Sequence, residues 1–118
     1  MKLNKKKFIK TIINIINNNK IKIIDNRKTI NNLFDFFLIC EGTSYLHVKS
    51  IYNKIEYTIY KNFNIKPLNI EGKNYYKWIL IDYKFIIINI FLKKIRKYYM
   101  IDKLFKKLPI LYSYKYEN

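Results

Sequence analysis

The sequence predicts one domain of mixed α/β (α+β) class, with a mixed sheet of about five strands packed by helices. Three observations predict it. The chain has 118 residues, enough for one layered core and too few for two independent ones. Apolar runs closed by Gly or Pro, such as DFFLICEG, have the length and pattern of strands buried on both faces. Between them, in TSYLHVKSIYNKIEYTIYKNF, Val48, Ile51, Ile55, Ile59 and Phe63 recur at three and four residues, as one face of a helix does.

The elements follow in order. MKLNKKKFIKTIINIINNN carries Phe8, Ile9, Ile12, Ile13, Ile15 and Ile16 weighted to one side, which predicts an amphipathic helix. It is not read as a signal peptide, because Lys10 and several Asn interrupt the apolar part and no small-residue cleavage site follows. Ile21 to Asp25 reads as a short strand, and Thr29 as the cap of a brief helical turn through Phe34. Asp35 to Glu41 is the buried strand closed by Gly42. Thr43 or Ser44 is placed to cap the long helix by accepting from its unpaired first-turn donors. Pro67 and Gly72 bound a short strand or extended edge, Leu68 to Glu71. Tyr76–Tyr83 and Phe85–Leu92 read as two strands of a hairpin joined at Asp82, Tyr83 and Lys84. Lys93 to Leu108 returns to helix and stops at Pro109. Residues 1–109 thus form the domain in the order α-β-β-α-β-β-β-α, and residues 110–118 are expected to be a loose tail.

Composition tempers the meaning of charge. Lys, Ile, Asn, Tyr and Phe make up about two thirds of the chain, while Ala and Gln are absent, far from ordinary globular usage. All five have codons rich in A and T, so a reduced, AT-biased genome is inferred: a bacterial endosymbiont in preference to an organelle, with the protein in the cytoplasm. The formal net charge of +16 would point to nucleic acid or an anionic membrane, but lysines scattered by such a bias are equally solvated surface. Gly, Trp, Asp, Glu, Arg and Pro therefore carry more information than Lys or Ile. One cysteine, Cys40, and one histidine, His47, make neither a disulfide nor a four-ligand zinc site. The longest apolar run, Phe85–Leu92, is far short of the roughly 20 residues that span a bilayer. No metal, cofactor or membrane partner is expected.

In order, IIDNR (23–27), FDFFLICEGTSYLHVKSI (34–51), IEGKNYYKWILID (70–82), INIF and RKYYMIDKLF (88–105) resemble the ribosomal silencing factor (RsfS, Iojap) family over about residues 5–106. The resemblance implies a fold related to nucleotidyltransferases without their catalytic residues. It also implies a factor that binds a large-subunit ribosomal protein at the subunit-joining face and blocks association with the small subunit. Bacterial members damp translation in starvation, and organellar relatives are tied to large-subunit assembly. Two positions depart from the family: Asn89 stands where a histidine is usual, and Lys84 where a glycine is usual. The lysine suggests a less tight hairpin, since glycine takes φ > 0 at little cost and lysine does not.

The candidate interface residues are Glu71, Gly72, Trp78, Leu80, Asp82, Arg96 and Tyr98. Trp78, Leu80 and Asp82 fall at period two and share one strand face, while Ile79 and Ile81 point to the other. A Trp beside a Leu with carboxylates near by has the make-up of a hot spot with a polar rim; the structural alternative is Trp78 packed under a second helix layer. Gly72 is a turn that aims Glu71. Arg96 offers bidentate contacts that lysine cannot imitate, to an external partner or to Asp82 or Glu71, and Tyr98 or Tyr99 packs on the sheet. The turn from Gly42 to His47 could hold an anion on backbone donors, yet no paired carboxylates follow to hold magnesium. No enzyme is expected; Ser44 reads as a cap and His47 as a first-turn residue.

The reading from sequence is a non-catalytic, monomeric or weakly dimeric factor on a large-subunit protein, with peripheral contact to rRNA. Its rival is a small basic RNA-binding protein acting through charge and tyrosine stacking.

Overall fold

A computed structural model describes residues 2–17, 20–28 and 33–113. Its elements are α1 (Lys5–Ile16), β1 (Lys22–Asp25), β2 (Phe36–Gly42), α2 (Tyr45–Phe63), β3 (Asn69–Glu71), β4 (Trp78–Asp82), β5 (Ile86–Leu92), α3 (Lys93–Tyr98), a 3₁₀ turn (Ile101–Phe105) and β6 (Ile110–Ser113). Asn4 caps α1 by accepting from the Lys7 amide, and Ser44 caps α2 by accepting from the His47 amide at 3.1 Å. Both helices end on an asparagine in the left-handed region, Asn17 at φ 43° and Asn64 at φ 55°, a conformation asparagine tolerates better than most residues.

The six strands form one mixed sheet in the order β3-β4-β5-β2-β1-β6. Only β2 and β5 run parallel, with Phe36 opposite Ile86 and Gly42 opposite Leu92; α2 and the β3–β4 excursion make the crossover between them. One face is sealed by α1 and α2. Phe8, Ile12 and Ile16 of α1 meet Ile51, Ile55 and Ile59 of α2 over Leu38, Ile79, Ile81, Ile88 and Ile90 of the strands. Gly42 ends β2 where a Cβ would come within 2.9 Å of Val48, so its lack of a side chain lets α2 start directly against the sheet.

The opposite face is covered only in part. Ile24, Ile39, Phe91 and Ile101, with Phe37, Ile95, Phe105 and Leu108 packed around them, form a smaller core under α3 and the 3₁₀ turn. Among the described residues none of β3 or β4 belongs to it, and on that half Glu71 and Trp78 are exposed while Leu80 and Asp82 are half-buried.

Three expectations are revised. The segment read as a tail supplies a sixth strand: Ile110–Ser113 pairs antiparallel with β1, Lys22 opposite Ser113; residues 114–118 lie outside the described residues, as does Thr29. The helix expected over 93–108 breaks at Met100, whose φ is 49°. In a continuous helix Arg96 and Asp102 would point to different sides; the break brings them within 2.8 Å. The hairpin stays tight at Lys84, which adopts φ 78° while the Phe85 amide donates to the Tyr83 carbonyl at 3.1 Å. Lysine thus occupies the conformation in which glycine is unstrained.

Candidate interaction face

Period two along β4 produces the expected division. Ile79 and Ile81 are fully buried under the helices, while Trp78, Leu80 and Asp82 lie on the half-covered face. Register assembles the rest: β5 sets Phe91 opposite Trp78 and Asn89 opposite Leu80, and β3 sets Glu71 opposite Leu80.

Trp78 is 46% exposed, yet held on two sides. Its ring lies over Phe91 with centroids 4.8 Å apart, and its Nε1–H donates to Asn89 Oδ1 at 2.8 Å. Asn89 is fully buried and donates from Nδ2 to the Leu38 carbonyl at 3.4 Å. A ring pair and a hydrogen bond contribute about 1 kcal/mol each, enough to fix the indole before any partner arrives and so lower the ordering cost of binding. Sequence reasoning treated Asn89 only as a departure from a family and missed Phe91. The signal was present: one amide inside a fully apolar strand must have a partner, and period two puts Phe91 on its face.

Gly72 sits at φ 94°, and a Cβ there would lie 1.9 Å from the Trp78 carbonyl oxygen. Its own carbonyl accepts from the Tyr75 and Tyr76 amides. One turn therefore positions both Glu71 and Trp78.

The carboxylates divide by role. Asp82 Oδ1 accepts from the Lys84 amide at 2.7 Å, which makes it the cap of the hairpin turn. Among the described acidic residues, the side chains of Asp25, Asp35, Glu41, Glu56 and Asp102 also accept hydrogen bonds within this protein. The side chain of Glu71 alone, exposed at the sheet edge, accepts none.

Arg96 is not on this face. Its partners are neither Asp82 nor Glu71: Nε and Nη2 bind Asp102 at 2.8 Å each, while Nη1 donates to the Lys20 carbonyl at 2.6 Å and to Glu41 at 3.2 Å. Burial disfavours the guanidinium charge, but the two carboxylates outweigh it and keep the pKa raised. The Arg96 bonds in turn hold the Asp102 carboxyl well below the usual range against the opposing effect of its burial, with Lys22 assisting. Nor does either tyrosine pack on the sheet. Tyr98 is 77% and Tyr99 61% exposed, their rings edge to face at 4.9 Å; Phe37 and Phe105, 4.4 Å apart, fill the space beneath.

The Gly42–His47 turn is satisfied internally. The Thr43 amide donates to His47 Nδ1 at 2.9 Å, and the His47 amide donates to Ser44. With Nδ1 accepting, the ring proton belongs on Nε2. Burial raises the pKa of Cys40 strongly and keeps it a thiol. Among the described residues no group of three or more His, Cys, Asp or Glu could hold a metal, and no helix is long and apolar enough to cross a membrane.

Comparison with known proteins gives the family of the chain. The sequence profile of the family described as "Ribosomal silencing factor during starvation" matches residues 4–116. The chain is 33% identical over 84 residues to a protein of Halalkalibacterium halodurans named ribosomal silencing factor RsfS, covering 71% of each chain. It is also 33% identical over 76 residues to the RsfS of Bacillus subtilis, covering 64% of each. Among solved structures, one from Chromobacterium violaceum superposes with a TM-score of 0.77 at 21% identity, covering 98% of this chain and 92% of that one. Another from Bacillus halodurans gives 0.72 at 28% identity, covering 91% and 98%. With its profile matched over nearly the whole chain, this protein belongs to the ribosomal silencing factor (RsfS) family.

Proposed function

We propose that this protein is a non-catalytic factor of the bacterial cytoplasm that docks on a large-subunit ribosomal protein at the subunit-joining face. There it hinders association with the small subunit by bulk, in silencing translation or in assembly of the large subunit. The observation that carries this reading is Trp78: a half-exposed indole fixed by Phe91 and Asn89 on the uncovered half of the sheet. Leu80 continues the apolar patch and Glu71 supplies a rim carboxylate with no side-chain partner among the described residues. In a protein of net charge +16, that carboxylate suits a basic side chain on the partner and sets orientation and on-rate more than affinity. Steric blocking needs occupancy only: about 8 kcal/mol gives micromolar binding, and a buried Trp anchor supplies 2 kcal/mol or more of it.

Co-sedimentation with isolated large subunits, small subunits and joined ribosomes tests the reading. Wild type should pellet with free large subunits only, and Trp78→Ala should lose that binding while remaining folded. Glu71→Lys is the second probe; Asp82→Lys is unsuitable, because it removes the cap of the hairpin turn. Equal pelleting with all three particles, insensitive to Trp78, would overturn the docking face.

A further inference from the structure

We propose that a second surface of this protein, the cleft between α3 and the 3₁₀ turn, binds RNA: lysines take the phosphates and the Tyr98–Tyr99 pair stacks a base. It extends the ribosomal reading but rests on a different face: Glu71, Trp78 and Leu80 are not on it, whereas Arg96, expected at the docking interface, lines it and Tyr98 follows Lys97 beside it.

The cleft has a volume of about 360 Å³ and is lined by Lys20, Lys93, Arg96, Lys97 and Lys103 against only Glu41 and Asp102. The two acids are already committed. Arg96 takes both, and Lys22 takes Asp102 as well. Lys93, Lys97 and Lys103 are exposed and paired with no carboxylate among the described residues. Lys93 and Lys97 stand four apart on α3 and so lie on the same helix side, where like charges repel. A phosphate between them and Lys103 would relieve that repulsion.

The floor is rigid. The Arg96 fork joins α3 to Asp102, to Glu41 on β2 and to the Lys20 carbonyl ahead of β1. The cleft opens at the carboxyl ends of the two parallel strands, since Glu41 lies at the end of β2 and Lys93 directly follows β5. In open α/β sheets ligands collect beyond those ends.

The residues next to Lys97 in sequence, of which only Met100 lines the cleft itself, favour RNA over a small anion or an acidic peptide. Tyr98, Tyr99 and Met100 follow Lys97 directly, and all three are more than half exposed. Met100, which lines the cleft, is held at φ 49°, a strained conformation of the kind that gathers at functional sites. Cationic grooves beside exposed aromatics are how single-stranded RNA is held without reading its sequence.

The test is fluorescence anisotropy of a labelled, mixed-sequence single-stranded 12-nucleotide RNA with the full chain across a salt series. Lys93→Gln/Lys97→Gln/Lys103→Gln should lower affinity by about 30-fold or more and flatten the plot of log affinity against log salt by about 2, for three lost phosphate contacts. Lys6→Gln/Lys7→Gln/Lys10→Gln on α1 removes the same charge elsewhere and should cost less than threefold. Tyr98→Ala/Tyr99→Ala should cost about tenfold with the salt slope unchanged. Trp78→Ala should leave RNA binding intact, so loss of docking and loss of RNA binding are separable. Equal losses in the two lysine triples would overturn the proposal and make the charge diffuse. So would a labelled mononucleotide or polyglutamate binding as tightly as the RNA, or no RNA binding by wild type.

Discussion

Gly72→Ala is the sharpest test of how the turn before β4 builds the candidate face. The added Cβ would meet the Trp78 carbonyl oxygen at 1.9 Å, so one of the two backbones must retreat by about 1 Å before contact is tolerable. The φ of 94° adds strain of roughly 1–2 kcal/mol for any residue with a Cβ. Retreat also weakens the carbonyl bonds from Gly72 to Tyr75 and Tyr76 and the adjoining Glu71–Leu80 pairing, at about 1 kcal/mol for each bond lost. The expected cost is about 3 kcal/mol in total, which at a typical slope displaces a urea midpoint by about 2 M. Trp78 is the only tryptophan and its carbonyl is the clashing atom, so its emission reports the same event that the midpoint measures. Asn74→Ala, at an exposed site in the same turn, should stay within about 0.5 kcal/mol of wild type. If Gly72→Ala also stayed within that margin, with unchanged emission, the turn would not position Trp78 as argued.

Three further outcomes follow from other parts of the chain. Arg96→Met should cost about 3 kcal/mol, since Glu41, Asp102 and the Lys20 carbonyl lose a shared partner. Arg96→Lys should recover less than half of that, because one ammonium cannot reproduce the fork; urea unfolding of Arg96→Lys indistinguishable from wild type would refute it. Acid should destabilise the protein from about pH 4 downward. Asp25 is held at about 2 chiefly by its side-chain bond from Arg27, and Asp102 is depressed by Arg96. Depressed carboxyls contribute fully above the ordinary carboxylate pKa, near 4, and lose that contribution as pH falls through their folded values. Asp102→Asn should therefore narrow the stability difference between pH 6 and pH 3; an unchanged difference would count against the network. Lys84→Gly should raise stability by about 1 kcal/mol by removing strain at φ 78°, seen by calorimetry as a Tm gain of about 4 °C, whereas a lower Tm would show that no strain is stored there.

What the sequence made legible was whatever apolar periodicity records. The buried face of α2, the two-sided burial of β2 and the alternation of β4 are each written in spacing, and each is found. The misses share a cause. All four residues of β6 are exposed, so no burial pattern marks a strand whose place is fixed by backbone pairing to β1. The break in the last helix has no Gly or Pro before it; it follows from tertiary bonds between Arg96 and Asp102 and from Ile101 entering the small core. Tyr98 or Tyr99 is expected against the sheet, but neither packs there, because Phe37, Phe91 and Phe105 already occupy that space. Asp82 looked like a free carboxylate because a side chain that bonds an amide two residues on leaves no periodic trace.

The scarce letters then separate by what holds them. Both glycines stand where a Cβ would collide with backbone or with Val48, and both arginines hold carboxylates with two nitrogens or more; the fold explains their presence without reference to a partner. Trp78 and Glu71 differ. Replacing the indole by a smaller apolar residue would leave Ile79 and Ile81 in place beneath the helices, and removing the Glu71 carboxylate would break no bond among the described residues. A large aromatic is retained half in solvent, fixed by the buried amide of Asn89, beside the one described acid that the structure does not use. Stability accounts for Trp78 only through its contacts with Phe91 and Asn89 and for the Glu71 carboxylate through no bond among the described residues, and the exposed remainder is what supports recognition as their role.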